Sequence, residues 1–372
     1  MIRHITIIGA GLIGSAAAIA LADKARALTV LETHLPLFSP SEKTSRPISL
    51  SYGSHRLLTT LGVWDALEAV ACPILSVHVS EAGRLGVARF SAHEQKVPAL
   101  GYVVPYHTLQ KTLYEKMASH KNVFVKSIQS VDAIDLNTNT ITINQTQKIQ
   151  TDLIIAADGT QSTCRRLLAI PVIEKNPKDI AEIHTLTLSE PHTHTAYERF
   201  TEYGVLAVLP LLEKNKMQLV WTMTERIAEK IKTWDEEHRL QFLQQTFEGR
   251  LAIQTMKKIS EFPLKTLIAK QQTLSSFVLL GNAAHTIYPV AAQGFNLGLR
   301  DVSLLQQYFL DLPLYEKKVS THQKKIYNIT SELLGLFELP LVGCARGAGL
   351  LNVDLIKPIK NKLAKRLMGM AP

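Results

Sequence analysis

The residues best suited to chemistry lie at 281–301, in the stretch GNAAHTIYPVAAQGFNLGLRD. The apolar run at 277–280 precedes it and reads as a buried strand. Phe295, Leu299, Val302, Leu305 and Phe309 then recur at helical spacing. Strand, polar loop and helix are therefore expected, with Gly294 and Gly298 where a bulky ligand would press on backbone. The start of such a helix offers free N–H groups and a partial positive charge. That suits the pyrimidine edge of a flavin, which becomes anionic on reduction. Glycine-bearing strand–loop–helix units are common, so the specificity rests on the ordered set Gly281, Pro289, Gln293, Gly294, Asn296, Gly298 and Asp301. His285 inside the set reads as structural rather than as a general base.

The amino end carries a complementary pattern. HITIIGAGLIGSAAAIALA is a β-run, then Gly9, Gly11 and Gly14, then an alanine-rich helix. Such glycines permit a tight turn, close approach of a pyrophosphate and close helix–strand packing. A second run at 27–31 leads into Glu32, eighteen residues after Gly14, where a carboxylate binds adenosine ribose hydroxyls. The pattern indicates a dinucleotide without separating FAD from NAD. A third segment, TDLIIAADGTQSTCRRLL, is a strand followed by Asp158, Gly159, Ser162 and Arg165. By itself it is also an ordinary strand end with a turn and a capped helix.

These groups need a scaffold that brings them together, and the order of elements supplies an α/β one. A β-run at 4–8, a helix at 12–23 and a strand at 27–32 open a Rossmann-like domain. A helix at 108–119 and strands near 123–126, 130–135 and 140–144 continue it, with NTNT as a hairpin tip. A strand at 152–156 and the block 277–309 complete it. Segments 71–100 and 178–266 are richer in alternating patterns such as IHTLTL and KMQLVWTM. They read as a mostly antiparallel sheet with one helix at 234–247 lying over the active site. The expected division is thus a discontinuous cofactor domain (1–70, 101–177, 267–330), an inserted β-sheet-rich substrate domain (71–100, 178–266) and a C-terminal helical segment (331–372).

Length and composition agree with this plan. The 372 residues suffice for about two domains. Lys and Arg number 41 against 32 Asp and Glu, a formal charge of +9, with no basic, aromatic-interleaved run of the nucleic-acid-binding kind. Cys72, Cys164 and Cys344 are scattered, which suits a reducing cytoplasm. The amino end imitates an export signal, but its glycine spacing and Glu32 fit a Rossmann turn better. No other stretch approaches the ~18–20 apolar residues of a membrane span. His192 and His194 in HTHT read as solvated loop residues rather than metal ligands, and no metal is expected. Ile356, Ile359, Leu363 and Leu367 with Lys357, Lys360, Lys365 and Arg366 form a basic amphipathic tail. It suits either packing on the domain or peripheral contact with a membrane.

The three glycine and acidic segments, taken in order, resemble those of single-component FAD aromatic hydroxylases, the class A flavoprotein monooxygenases. AYERFTEYGVLAVLPLLEKNKMQLVWTMTE, SRPISLSYGSHRLLTTLGVWDAL and RGAGLLNVDLIKPIKNKLAKRLMG extend the resemblance over nearly the whole chain. They are similar to the ubiquinone-biosynthesis hydroxylases, and within these to the 2-polyprenyl-6-methoxyphenol hydroxylases. The resemblance implies FAD held by Gly9, Gly11, Gly14, Glu32, Arg46, His107, Asp158, Gly159, Asn282, Pro289, Gln293, Gly294 and Asn296. Three positions depart from the wider family: Asn282 stands for Asp, His107 for Arg and Ala292 for Gly. An amide still exchanges hydrogen bonds with a ribitol hydroxyl, whereas neutral His is a weaker pyrophosphate partner than Arg.

The implied chemistry is reduction of FAD by transiently bound NADPH or NADH, addition of O2 at flavin C4a, and transfer of hydroxyl from the hydroperoxide to an electron-rich ring. A polyprenylated methoxyphenol is the implied substrate. The implied setting is the cytoplasm, with peripheral membrane or ubiquinone-biosynthesis complex contact. No residue is singled out as catalytic. Two alternatives share the cofactor segments: a hydroxylase of another phenol, and a low-turnover flavin-binding scaffold. A halogenase is disfavoured, because no Trp-x-Trp-x-Ile-Pro segment occurs.

Overall fold

The computed structural model describes residues 2–36, 38, 47–84, 86–175, 178–247, 249–287, 293–321, 323, 354 and 356–370. Arg46, Pro289, Ala292, Cys344 and the Gln293 side chain lie outside the described residues.

The opening strand, Ile2–Ile8, sits inside a six-stranded sheet whose spatial order is Thr273–Leu274, Phe277–Leu279, Leu153–Ala156, Ile2–Ile8, Ala25–Glu32, Val123–Ser127. All neighbours run parallel except the short edge strand Thr273–Leu274. Strands covered on both faces need apolar residues at consecutive positions, which is why ITII and LIIA read as unbroken runs. Register pairs Ile5 with Leu153 and Leu28, and Ile7 with Ile155 and Val30. On one face lies helix Leu12–Leu21, whose small side chains let helices Tyr106–Ala118 and Gln293–Tyr308 approach it closely. Ala16, Ala17 and Ala18 are completely buried, so the helix is apolar all round, as an enclosed helix must be.

The opposite face is closed differently from expectation. Strands Val131–Asp135 and Thr140–Ile143 do not extend the parallel sheet; with Gln147–Gln150 they form a separate antiparallel meander. Ile141 and Ile143 alternate inward and pack with Ile8, Leu31, Ile154 and Phe277. This small sheet does the covering that a helix does on the other side.

A seven-stranded sheet has the order Ile253–Pro263, Asp179–Leu188, Lys216–Thr224, Gly204–Pro210, Thr195–Thr201, Ser76–Glu81, Val87–Ser91. It is antiparallel except where Thr195–Thr201 runs parallel to Ser76–Glu81. The helix expected at 234–247 is Glu236–Thr246, and a second helix that was not expected, Glu225–Lys232, precedes it. Thr224 caps the first through Ile227 N, and Asp235 caps the second through His238 N at 2.8 Å. Two capping side chains eleven residues apart impose two starts. Both helices cover the face that buries Trp221, Leu219, Leu206 and Val208.

A third, three-stranded sheet of Pro47–Ser51, Gly101–Pro105 and Cys72–Ile74 joins the two larger ones. Cys72, Ile74 and Val103 pack against Ala196 and Leu209 of the seven-stranded sheet. The terminal helix Lys357–Leu367 buries Ala364, with Leu363 and Leu367, against Ala88, Phe90 and Leu100. Much of the tail's apolar face is therefore occupied by the protein itself, although Ile356 stays exposed. Among the described residues no helix is long and apolar enough to cross a membrane.

Candidate cofactor site

Three loops meet at the carboxyl ends of three adjacent parallel strands, Ile2–Ile8, Leu153–Ala156 and Phe277–Leu279. This is the edge of an open α/β sheet at which ligands bind. The loops are mutually tied by backbone: Ala157 N donates to Ile8 O, and Leu280 N to Ala156 O, each at 2.8 Å.

In the first loop Gly9 has φ +103°, and a Cβ there would lie 2.5 Å from Ala157 O. Gly14 fails differently: its Cβ would overlap the carbonyl oxygen of Gly9. Gly11, the residue before helix Leu12–Leu21, faces open space. That helix has no side-chain cap and no acidic residue in its first turn, so its leading N–H groups remain available to an anion. Glu32, at the end of the next strand, accepts from Ala10 N at 2.6 Å and His34 N at 2.9 Å. Its half-exposed carboxylate is thereby fixed against the glycine loop.

In the second loop Asp158 Oδ2 accepts from Cys164 N at 3.0 Å, while Oδ1 is buried without a hydrogen-bond partner among the described residues. Gly159 has φ +81° with open space where a Cβ would be. Ser162 caps the short helix Thr163–Leu167. Arg165, mostly buried, donates to Ala283 O at 2.7 Å and Thr160 O at 2.8 Å. This arginine therefore clamps the second loop to the third rather than reaching for solvent.

In the third loop Asn282 is exposed between the buried Gly281 and Ala283. Gly298 departs from expectation. A Cβ there would meet Ile13 at 2.8 Å, and one on Gly281 would meet the same Ile13 at 2.9 Å. Both glycines make room for Ile13, so Gly298 serves helix packing and not a ligand. Gly294 keeps the open space expected of a ligand-facing residue, but its φ lies outside the left-handed region, so no special backbone angle demands glycine. Asn296 is buried and spends its amide on the small sheet, accepting from Ser51 N at 2.9 Å and donating to Ser49 O at 3.1 Å. It positions that sheet against the helix.

Asp301 and His285 are both buried, with Asp301 Oδ2 and His285 Nε2 2.5 Å apart. Burial pushes the Asp301 carboxyl above the usual range, partly offset by His285. The pair locks the third loop onto helix Gln293–Tyr308. His107 lies in the first turn of helix Tyr106–Ala118, its ring edge-on to Phe38 at 5.8 Å. His192 is not solvated: it is buried, with its Nε2 2.8 Å from Leu211 O, whereas half-buried His194 places its Nδ1 3.2 Å from Pro73 O. No group of three His, Cys, Asp or Glu able to hold a metal occurs among the described residues.

Sequence reasoning left out Ile13, and it placed Arg165 in the third cofactor segment without showing that it ties that segment to the loop at Ala283. The paired glycines at 281 and 298 are the signal for a bulky neighbour, but nothing local says which residue fills the gap.

The geometry fits FAD: open cradles at Gly11 and Gly294, an unpartnered Asp158 Oδ1 and an uncapped helix start share one sheet edge. Comparison with known proteins gives the class. The FAD binding domain family matches residues 3–312, and the chain belongs to that family. It is 31% identical over 307 residues to the 3-demethoxyubiquinol 3-hydroxylase of Escherichia coli K12, covering 81% of this chain and 78% of that protein. It is 27% identical over 387 residues to the ubiquinone hydroxylase UbiL of Rhodospirillum rubrum, covering 99% of this chain and 90% of that one. Among solved structures, p-nitrophenol 4-monooxygenase PnpA of Pseudomonas putida DLL-E4 has a TM-score of 0.77 at 14% identity, covering 99% of this chain and 98% of that one. That likeness establishes the expected α/β fold of flavin monooxygenases.

Proposed function

We propose that this chain is an FAD-dependent monooxygenase that hydroxylates the aromatic ring of a polyprenylated methoxyphenol in ubiquinone biosynthesis. The observation that carries the reading is the gathering of three loops, with an unpartnered Asp158 oxygen, on one sheet edge of a chain 31% identical to a ubiquinol-ring hydroxylase. Bound FAD, reduced by NADPH or NADH, would activate O2, of which one oxygen atom would enter the ring and the other leave as water.

In this reading Gly9, Gly11 and Gly14 admit the pyrophosphate to the start of helix Leu12–Leu21, and Glu32 takes the adenosine ribose. His107 and Arg46 add donors, while Asp158, Gly159 and Asn282 serve the ribityl chain. Pro289, Gln293 and Gly294 border the isoalloxazine, and Asn296 holds the wall behind it. The parallel-sheet segments 1–70, 101–177 and 267–330 house FAD; segments 71–100 and 178–266 present the phenol. Leu206 and Val208 are spent on the core beneath the helices. Val205 and Ala207, on the other face of that strand, are left to exclude water from the ring, while Leu209 on the same face packs on the small sheet. The reading places the enzyme on the cytoplasmic side, in contact with the membrane or complex that carries its apolar substrate.

The direct test is NADPH oxidation by purified holoprotein with and without a short-chain 2-prenyl-6-methoxyphenol, with mass analysis of the product. Stimulated oxidation with one added oxygen atom is expected. A stronger response to simple, unprenylated phenols would favour a different substrate class, and no stimulation by any phenol would leave a flavin-binding scaffold.

Glu32→Ala should weaken FAD by roughly 1–3 kcal/mol, the order lost with charge-assisted hydrogen bonds. The loop anchor at Ala10 N goes with it. A flavin titration checks this, and unchanged affinity would remove Glu32 from the site.

A further inference from the structure

A cavity of about 520 Å³ opens at one end of the seven-stranded sheet, lined by Ser76, His78, Arg89, Tyr197 and Arg250 among others. Strand register explains its composition. His78 pairs with Arg89 on one side and Tyr197 on the other, so these side chains share a face. Arg199, on that same face, donates to Ser80 Oγ at 2.9 Å. Arg250 follows helix Glu236–Thr246 and is exposed, as is Arg89. Ala196, between Thr195 and Tyr197, points the other way and packs on Cys72, Ile74 and Val103. The cavity therefore lies on the face turned from the small sheet that Asn296 holds, and it is separate from the cofactor loops.

Its charges are unbalanced. Burial, and then the charges of Arg250, Arg89 and Arg199, push the His78 imidazole down to about 4. The ring is thus neutral near pH 7, and its Nδ1 is buried with no hydrogen-bond partner; Arg199 Nε is in the same condition. Among the described residues the one acid lining the cavity, Glu94, is taken by Lys360 at 3.1 Å. Asp354, which accepts from the backbone N–H of Arg89 at 3.0 Å, is shared with the same lysine at 3.1 Å. Three guanidinium groups around one imidazole repel one another, Asp354 offsets only Arg89 among the described residues, and buried polar atoms without partners add to the cost. An oxyanion with two negative charges would relieve both, since guanidinium pairs well with phosphate. Hydroxyls of Ser76, Thr195 and Tyr197 supply neutral donors beside them. The volume exceeds one phosphate ion and falls in the range of small-molecule pockets, so the phosphate would arrive on a larger body.

We propose that this cavity is a binding site for a phosphate ester, held through its phosphate by Arg89 and Arg250 with His78, Arg199 and Tyr197 beside them. The proposal stands independently of the hydroxylase reading.

The probe is inorganic phosphate, titrated into the full-length holoprotein at constant ionic strength, with the His78 ring followed by NMR and affinity by calorimetry. Phosphate should raise the His78 titration midpoint from about 4, because a bound anion cancels the repulsion of the arginines. Arg89→Ala with Arg250→Ala should weaken phosphate roughly ten- to a hundredfold, while flavin content and turnover stay at the wild-type level. A parallel sedimentation compares vesicles of phosphatidylglycerol and phosphatidylcholine. Arginine-dependent retention on the first alone identifies a lipid headgroup as the source; phosphate binding without retention identifies a soluble ester. An unmoved His78 in the wild type, or an equal response in the double variant, overturns the site.

Discussion

Gly14→Ala is expected to yield protein with under about a tenth of the wild-type flavin and a clearly lowered melting temperature. The added methyl has nowhere to go, because its position overlaps the carbonyl oxygen of Gly9, which is backbone and cannot swing aside. Either helix Leu12–Leu21 lifts from the sheet or the glycine loop opens, and overpacking of this kind costs about 1–3 kcal/mol or more. The loop must also keep its approach to Ala157, since Gly9 already stands at φ +103° beside that residue. Gly11→Ala is the matched control, because its Cβ meets no protein atom. It should fold at the wild-type melting temperature, and any flavin it loses reports on the ligand alone. Flavin-to-protein ratio and thermal unfolding of the three proteins are the measurements. A Gly14→Ala protein with full flavin and unchanged melting would mean that the loop geometry is not what admits the cofactor.

Gly294→Val should separate fold from function most cleanly. Among the described residues nothing lies within 4 Å of the added Cβ, and φ at this residue is outside the left-handed region. Valine is moreover a better helix residue than glycine by a few tenths of a kcal/mol. Far-UV circular dichroism and melting should therefore stay near wild type, whereas flavin content falls and ring hydroxylation is abolished. The bulk intrudes only on what occupies the space in front of helix Gln293–Tyr308. Normal turnover by this variant would remove the segment from the flavin, and the functional reading with it. Gly298→Val makes the contrast: it strikes Ile13, so it should unfold the helix contact and lose stability along with flavin.

How far the chain could be read without its structure follows from the range of each interaction. The glycine loop was legible because its constraints act within a few residues: Gly9 and Gly14 are fixed by the turn they make, and the β-runs on either side announce it. Strand periodicity likewise exposed the alternating sheet, since a half-buried strand repeats every second residue. The helix Glu225–Lys232, not expected ahead of the one at 234–247, shows the limit of pattern alone. Helical spacing continues through Thr233 and Trp234, and the cap at Asp235 decides where a new helix starts. The meander at 131–150 shows another. Its strands were evident, but which sheet they join depends on which face of the parallel sheet still lacks cover.

Residue types at short spacing indicated a dinucleotide, with FAD implied by their resemblance to flavin hydroxylase segments, and they marked the main strands and helices of the cofactor domain and places where glycine is needed. Tertiary structure alone decided what those residues touch. It tied Asn296 to Ser49 and Ser51, more than two hundred residues away. It set Ile13 between Gly281 and Gly298, made Arg165 the clamp on Ala283, and brought Arg89, Arg199 and Arg250 around His78. The physical reason is that conformational preference is local, whereas packing, hydrogen bonding and charge act across whatever surfaces the chain folds together, and sequence separation places no bound on those.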